Sequence, residues 1–166
     1  LMPETVETKE KMDIIINALS VISRMNLGQL YELSLGNVLY QATNKLKDMI
    51  SSNKSRNDIE EFLIKLYEIL DATEDKYYSA SIAKSLRSFS NDNFKKAIDS
   101  LAKNGIRFIA APFNSPSADQ IEEAAKFLNI KLMERMRLPE IDSKCVTKKE
   151  VAWGIMYIQK LEHISE

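Results

Sequence analysis

The sequence predicts an α+β chain that is mostly helical, and three observations carry that prediction. Apolar residues recur at three- and four-residue spacing from Leu27 to Ile50 and again from Ile59 to Leu70. Helix-start and helix-stop residues punctuate the rest of the chain as far as Leu128. Stretches that read as strands are few and short.

In chain order, Asp13-Ile14-Ile15-Ile16 is a β-branched run that reads as a strand or an extended lead-in. Ser20 to Asn26 mixes polar and apolar residues and reads as irregular. On the long helix Leu27, Leu30, Tyr31, Leu35, Val38, Leu39, Ala42, Leu46, Met49 and Ile50 share one face, expected to be core, with Asn26 as N-cap. Gly28 and Gly36 fall inside this pattern, each at a cost of about 1 kcal/mol against Ala, and Gly36 is expected to mark close packing against another element. After the polar connector Ser51–Arg56, Asn57 with Glu60 reads as the start of a helix over residues 57–71. A weaker helix is expected over Tyr77–Leu86, and a clearer one from Asn91 to a stop at Asn104-Gly105. Ile106 to Ala111 reads as a strand and Pro112 to Ser117 as a loop. Ser117 with Gln120 forms a capping box for a helix through Leu128. Near the C-terminus Thr147 and Glu150 could open a helix, but Val151, Trp153, Ile155 and Tyr157 alternate at period two, so we expect Val151 to Tyr157 to be extended.

Composition narrows the function. The 166 residues fit one domain of ordinary size, 45% hydrophobic and 28% charged. The 23 Lys+Arg nearly cancel the 24 Asp+Glu, so any contact with nucleic acid has to come from a few placed side chains and not from a basic surface. A single cysteine, Cys145, and a single histidine, His163, exclude a disulfide framework and argue against structural zinc; Cys145 is expected to be inert. No apolar run approaches the ~20 residues of a membrane span, and the chain starts without a signal-peptide pattern, so it reads as intracellular, with no membrane partner. Tyr77, Tyr78 and Trp153 read as packing residues. No metal-ligand cluster or nucleophile–base pair stands out.

Two motifs are more specific. Asp13 to Gly36 runs DIIINALSVISRMNLGQLYELSLG. It resembles the signature DIILNPxGVPSRMNIGQxxExHLG of the β (second-largest) subunit of multisubunit DNA-dependent RNA polymerases, and Met2-Pro3 matches that family's Met-Pro upstream. Val151 to His163 runs VAWGIMYIQKLEH, similar to the family's VTVGYMYMLKLNH. Gly105 to Leu128 is loosely similar to a third stretch: Pro112 and Phe113 are kept, with Asn114-Ser115-Pro116 in place of Asp-Gly-Ala. About half of the chain is covered. Departures include Ile22 for a proline, Ala18 and Ser20 for Pro and Gly, Ser34 for a histidine and Glu162 for an asparagine. Together with a Lys/Asn/Ile-rich composition they point to a viral, phage-type version.

The resemblance implies a portion of an RNA polymerase active-centre wall. It divides the chain into a motif-bearing lead-in and long helix (1–50), a helical insert (51–105), and a strand–loop–helix with the C-terminal motif (106–166), all one fragment. Arg24, the arginine of Ser-Arg-Met-Asn, would bind the β/γ-phosphates of the incoming nucleotide, since a planar guanidinium can grip two phosphate oxygens. Lys160 and His163 would approach the RNA–DNA hybrid. No residue here is expected to be catalytic or to hold a metal. Mg²⁺ would be held by the largest subunit of the assembled enzyme. Gly-Asn-Lys-Gly and Gly-Gly-Gln-Arg-Phe-Gly segments of the family do not occur here, so the chain is expected to be a fragment or one part of a split subunit, inactive alone. Its partners would be the largest subunit, the remainder of the β-type subunit, template DNA and RNA, in the cytoplasm of a bacterium or a phage-infected host. The alternative is a non-catalytic helical interaction module with decayed polymerase motifs.

Overall fold

The apolar spacing is realised as helices in the computed structural model, which describes residues 2–110, 113–139, 141 and 144–159. Helix α1 spans Ala18–Ser23, α2 Gly28–Ser51, α3 Arg56–Leu70, α4 Tyr77–Ser88, α5 Asn91–Asn104 and α6 Ala118–Leu128, with one 3₁₀ turn at Glu74–Lys76. Four two-residue strands accompany them among the described residues: β1 Glu4–Thr5, β2 Met133–Glu134, β3 Met136–Arg137 and β4 Val151–Ala152. This is the expected α+β class, mostly α.

Local chemistry sets the helix ends. Ser117 and Gln120 form the expected capping box, and α5 stops at Gly105, whose φ of 86° suits a residue without Cβ. At α3 the cap lies two residues earlier than expected. Ser55 Oγ accepts from Asp58 N at 3.2 Å and Asp58 Oδ2 accepts from Ser55 N at 3.2 Å, while Asn57 is already inside the helix. Ser20–Asn26, expected to be irregular, begins inside α1. Asn17 has extended backbone and its side chain accepts from Leu19 N at 3.0 Å, which nucleates that short helix. Asn26 does not cap α2: the residue before the helix is Leu27, in helical conformation, and no side chain caps it.

Helix α3 is the centre of the core. Ile59, Phe62, Leu63, Leu66, Tyr67, Ile69 and Leu70 are all buried, so almost every apolar residue it carries faces a neighbour. Helices α4 and α6 pack on it, and α2 packs on α5 and α6, contributing Val38, Ala42 and Leu46. Each fully buried leucine adds about 1.5–3 kcal/mol relative to exposure. The expected core stripe of α2 is realised only in part. Burial begins at Asn37, and Leu27, Leu30 and Tyr31 at the start of the stripe remain exposed.

Three polar hubs tie the helices. Arg56 pairs with Glu60 at 2.7 Å, donates to Asn91 Oδ1 at 2.6 Å and to the carbonyls of Leu86 and Phe89, and lies 4.6 Å from the Phe94 ring centroid. Buried Asp71 accepts from Thr73 N, Thr73 Oγ1 and Ser79 N, the last at 2.7 Å. Its carbonyl accepts from Lys76 Nζ and Gln120 Nε2. Thr43 Oγ1 accepts from Ile106 N at 2.9 Å. That last bond bears on the expected strand from Ile106 to Ala111. Residues 106–110 form none, because helix side chains satisfy their backbone: Tyr67 Oη donates to Arg107 O at 2.9 Å and Tyr78 Oη accepts from Ile109 N at 3.4 Å. Burial pushes the Tyr67 hydroxyl up to about 12, with Tyr78 adding to it.

Segments far apart in the sequence, β1 and β4, meet on one extended stretch. Residues 133–137 pair through β2 with β4 (Met133 with Ala152, Glu134 with Val151) and through β3 with β1 (Glu4 with Arg137, Thr5 with Met136), both antiparallel. Buried Glu134 accepts from the amides of Glu7 and Thr8 at 3.2 Å, and Arg137 Nε donates to Glu4 Oε1 at 3.0 Å. Thr147 opens no helix: its backbone N donates to Met136 O and its Oγ1 accepts from Met136 N. The segment from Val151 is a strand only to Ala152, then continues without helix or ladder through the described residues. Ile14–Ile16 form no strand either, and all three are exposed.

Candidate functional site

The two motifs meet at the first turns of α2, where the helical core does not reach: the first motif supplies those turns and residues 154–157 of the second lie across them. The contact is made by backbone. A Cβ built on Gly36 would lie 1.9 Å from Ile155 O, and one on Gly154 would lie 2.0 Å from Leu33 O and 3.0 Å from Asn37 N. Only glycine permits so close an approach at either position. The expectation that Gly36 marks close packing is met, and its partner is the other motif. Beside this crossing Glu32 Oε1 accepts from Tyr157 N at 3.3 Å. The buried Trp153 ring stands edge-on to Tyr40, centroids 6.1 Å apart, so its role is packing, as expected. Its Nε1 has no hydrogen-bond partner among the described residues.

Arg24 sits at the end of α1, and its position is built by backbone hydrogen bonds. Asn26 N donates to Val21 O at 3.2 Å and Met25 N to Ile22 O at 3.1 Å, the two bonds of a Schellman stop. Met25 takes the left-handed conformation, φ 51°, that glycine usually supplies there. Arg24 therefore lies at the tight corner between α1 and α2, exposed, and its guanidinium has no ion-pair or hydrogen-bond partner among the described residues. An arginine in an irregular loop could instead have been held by a neighbouring carboxylate; none of the described carboxylates does so. Five N–H donors and a fixed positive charge facing solvent suit an anionic oxygen ligand.

An apolar face surrounds this corner. Ile15, Leu19, Ile22 and Met25 are each at least 66% exposed, and Val21 is the only buried residue of α1. Under it, Ile14, Ile16, Val21, Leu33, Met136 and Trp153 line an open cavity of about 440 Å³. Lys160 and His163 lie outside the described residues. Among the described residues no group of three or more His, Cys, Asp or Glu comes together. No helix among them is long and apolar enough to cross a membrane. Cys145 is exposed and free.

Sequence reasoning located Arg24 and both motifs but missed the Glu32–Tyr157 bond and the partner of Gly36. A partial signal was present: Gly36 interrupts the apolar helical pattern of the first motif and Gly154 is the one glycine of the second. Spacing alone could not say that these two glycines face each other.

Comparison with known proteins identifies the family. The family model for RNA polymerase Rpb2, domain 6, matches residues 2–166. A DNA-directed RNA polymerase subunit beta from Aquifex aeolicus (strain VF5) is 29% identical over 153 residues, covering 92% of this chain and 10% of that protein. The chain thus spans about a tenth of the length of that relative. With the family match extending over nearly its whole length, the chain belongs to the RNA polymerase Rpb2 domain 6 family and is a domain of a β-type RNA polymerase subunit.

Proposed function

We propose that this domain forms part of the active-centre wall of a DNA-directed RNA polymerase, with Arg24 holding the β/γ-phosphates of the incoming nucleotide. The observation that carries the reading is the exposed guanidinium at the α1–α2 corner, without a partner among the described residues and inside the Ser23-Arg24-Met25-Asn26 motif. Negative charge collects on the triphosphate as the RNA 3′-hydroxyl attacks the α-phosphate, and a fixed cation placed there stabilises that charge. Lys160 and His163 take the RNA–DNA hybrid in this reading, lysine neutralising backbone phosphate and histidine donating to phosphate or ribose. Template DNA, RNA, the largest subunit with its Mg²⁺ and the remainder of the β-type subunit are the partners, and the chain alone makes no RNA. The departures at Ile22 and Ser34 and the Lys/Asn/Ile-rich composition support a viral enzyme.

In the assembled polymerase Arg24→Ala should lower kcat/KM for nucleotide by about 10- to 100-fold, since hydrogen bonds to charged groups are worth about 1.5–3 kcal/mol. Arg24→Lys should recover only part, keeping the charge and losing the fork. Elongation measured over a nucleotide titration decides it, and wild-type nucleotide dependence in Arg24→Ala would remove Arg24 from the site. The second reading, a non-catalytic interaction module, draws on the exposed apolar residues Leu19, Ile22 and Met25. It predicts that Arg24→Ala leaves nucleotide dependence intact while Leu19→Asp prevents assembly.

A further inference from the structure

We propose that the crossing of Gly36 and Gly154, with the Glu32–Tyr157 bond beside it, is a positioning joint that fixes the α1–α2 corner and thereby the reach of Arg24. The inference rests on the nucleotide-contacting role of Arg24 and adds three positioning residues: Glu32, Gly36 and Gly154.

The argument starts from where α2 is held. Its burial begins at Asn37, and α5 and α6 supply its core contacts. The turns before that carry Gly28, Leu30, Tyr31 and Glu32 as exposed residues, and α1 adds only Val21 as a buried anchor. At a rise of 1.5 Å per residue, Gly28 lies about 12 Å along the axis from Gly36, so a tilt of about 5° at Gly36 moves the corner by about 1 Å. What lies across these turns is the segment Trp153–Tyr157. It meets them at Gly36 through Ile155 O, at Leu33 O through Gly154, and at Glu32 through Tyr157 N. The first two contacts are backbone on backbone, which gives them little freedom to adjust. A methyl group at Gly154 would have to open the crossing by well over an ångström before reaching ordinary van der Waals distance. Displacement of a binding group by about 1 Å can cost as much as 100-fold when geometry governs a reaction. The same segment is tied through β4 to β2, so the joint links the corner to the extended stretch that pairs with β1 and β4.

The test is a nucleotide titration on the assembled polymerase carrying Gly154→Ala, Glu32→Ala or Glu32→Gln, each alone and in an Arg24→Ala background. Gly154→Ala should raise the nucleotide KM about tenfold or more with the saturated rate changed less than about twofold, and Glu32→Ala should raise it less. Glu32→Gln, which keeps an oxygen acceptor for Tyr157 N, should recover most of the Glu32→Ala loss. In the Arg24→Ala background both effects should disappear, because the joint acts through Arg24. If Gly154→Ala fails to assemble, the Glu32 pair decides by the same criteria. Normal nucleotide KM in the joint variants, or an effect that persists undiminished without Arg24, overturns the joint while leaving the Arg24 reading standing. Normal nucleotide dependence in Arg24→Ala itself overturns the Arg24 reading and the joint with it.

Discussion

Arg56 and Arg24 both sit at the ends of helices, yet their surroundings are opposite. Arg56, on the first turn of α3, spends its donors on Glu60, Asn91 and two carbonyls at the end of α4, and its plane rests near the Phe94 ring. Arg24, one residue past α1, is exposed and has no partner among the described residues. The regions around them differ in the same way. Helices α3 to α6 and the later turns of α2 turn their apolar residues inward; α1 and the start of α2 turn Leu19, Ile22, Leu27, Leu30 and Tyr31 outward. One region of the molecule is satisfied by its own contacts, and the other presents charge and apolar surface that its own contacts leave over. A domain of a larger assembly is expected to show that division, because residues that serve the assembly cannot also be consumed by the fold.

The comparison breaks most visibly if the two arginines are exchanged for alanine and stability is read by urea unfolding. Arg56→Ala should cost about 1.5–3 kcal/mol, the range for lost hydrogen bonds to a charged group, since it also leaves Asn91 and the carbonyls of Leu86 and Phe89 to find other donors. Arg24→Ala should stay within about 0.5 kcal/mol of the parent, as for surface changes that remove no contact. Equal losses in the two variants would mean that Arg24 is part of the fold after all.

Asp71 sharpens the same contrast through pH. Burial pushes its carboxyl up, but hydrogen bonds from Thr73 and Ser79 more than reverse this and hold it at about 2, against an ordinary 3.8. With the folded value depressed, the stabilisation is fully present above about pH 4 and is lost as pH falls through 4 towards 2. Asp71→Asn should therefore flatten that part of the acid-unfolding curve and lower stability at pH 7 by about 1–2 kcal/mol, because an amide nitrogen cannot accept from Ser79 N or Thr73. An unchanged acid limb between pH 4 and 2 would show that other carboxylates govern it.

How much of this was legible before the structure depends on whether a signal is local. Helix positions, the Ser117–Gln120 box and the Gly105 stop are set by residues within a few positions of one another, and the sequence displays them. The Ile106–Ala111 stretch looks like a strand because Ile106, Phe108 and Ile109 favour extended backbone, yet its hydrogen bonds go to Thr43, Tyr67 and Tyr78, distant in sequence. The stripe on α2 gave no hint of where burial begins, because periodicity reports a face and not what covers it. At the site, the Ser-Arg-Met-Asn motif marked Arg24, whereas the pairing of Gly36 with Gly154 is a tertiary fact about backbone approach that no local pattern encodes.

The smallest expected effect concerns the corner itself. Directly after α2, α5 and α6 the positive-φ positions hold residues that tolerate the conformation: Asn53, Gly105 and Asn129. After α1 the chain uses Met25, at φ 51° and 86% exposed. A non-glycine side chain in this region costs about 1 kcal/mol or more, while glycine there adds unfolded-state entropy worth about 0.5–1 kcal/mol. Met25→Gly should therefore stabilise the chain only slightly, by about 0.5 kcal/mol, with little packing lost because the side chain is in solvent. Met25→Ala keeps a Cβ and so keeps the strain; it should gain nothing. Urea midpoints at constant slope separate the two. A gain in Met25→Gly alone places the cost in the backbone of the corner, and so ties it to the turn that presents Arg24. Equal gains in both variants would place it in the exposed thioether side chain, and the corner would then be unstrained.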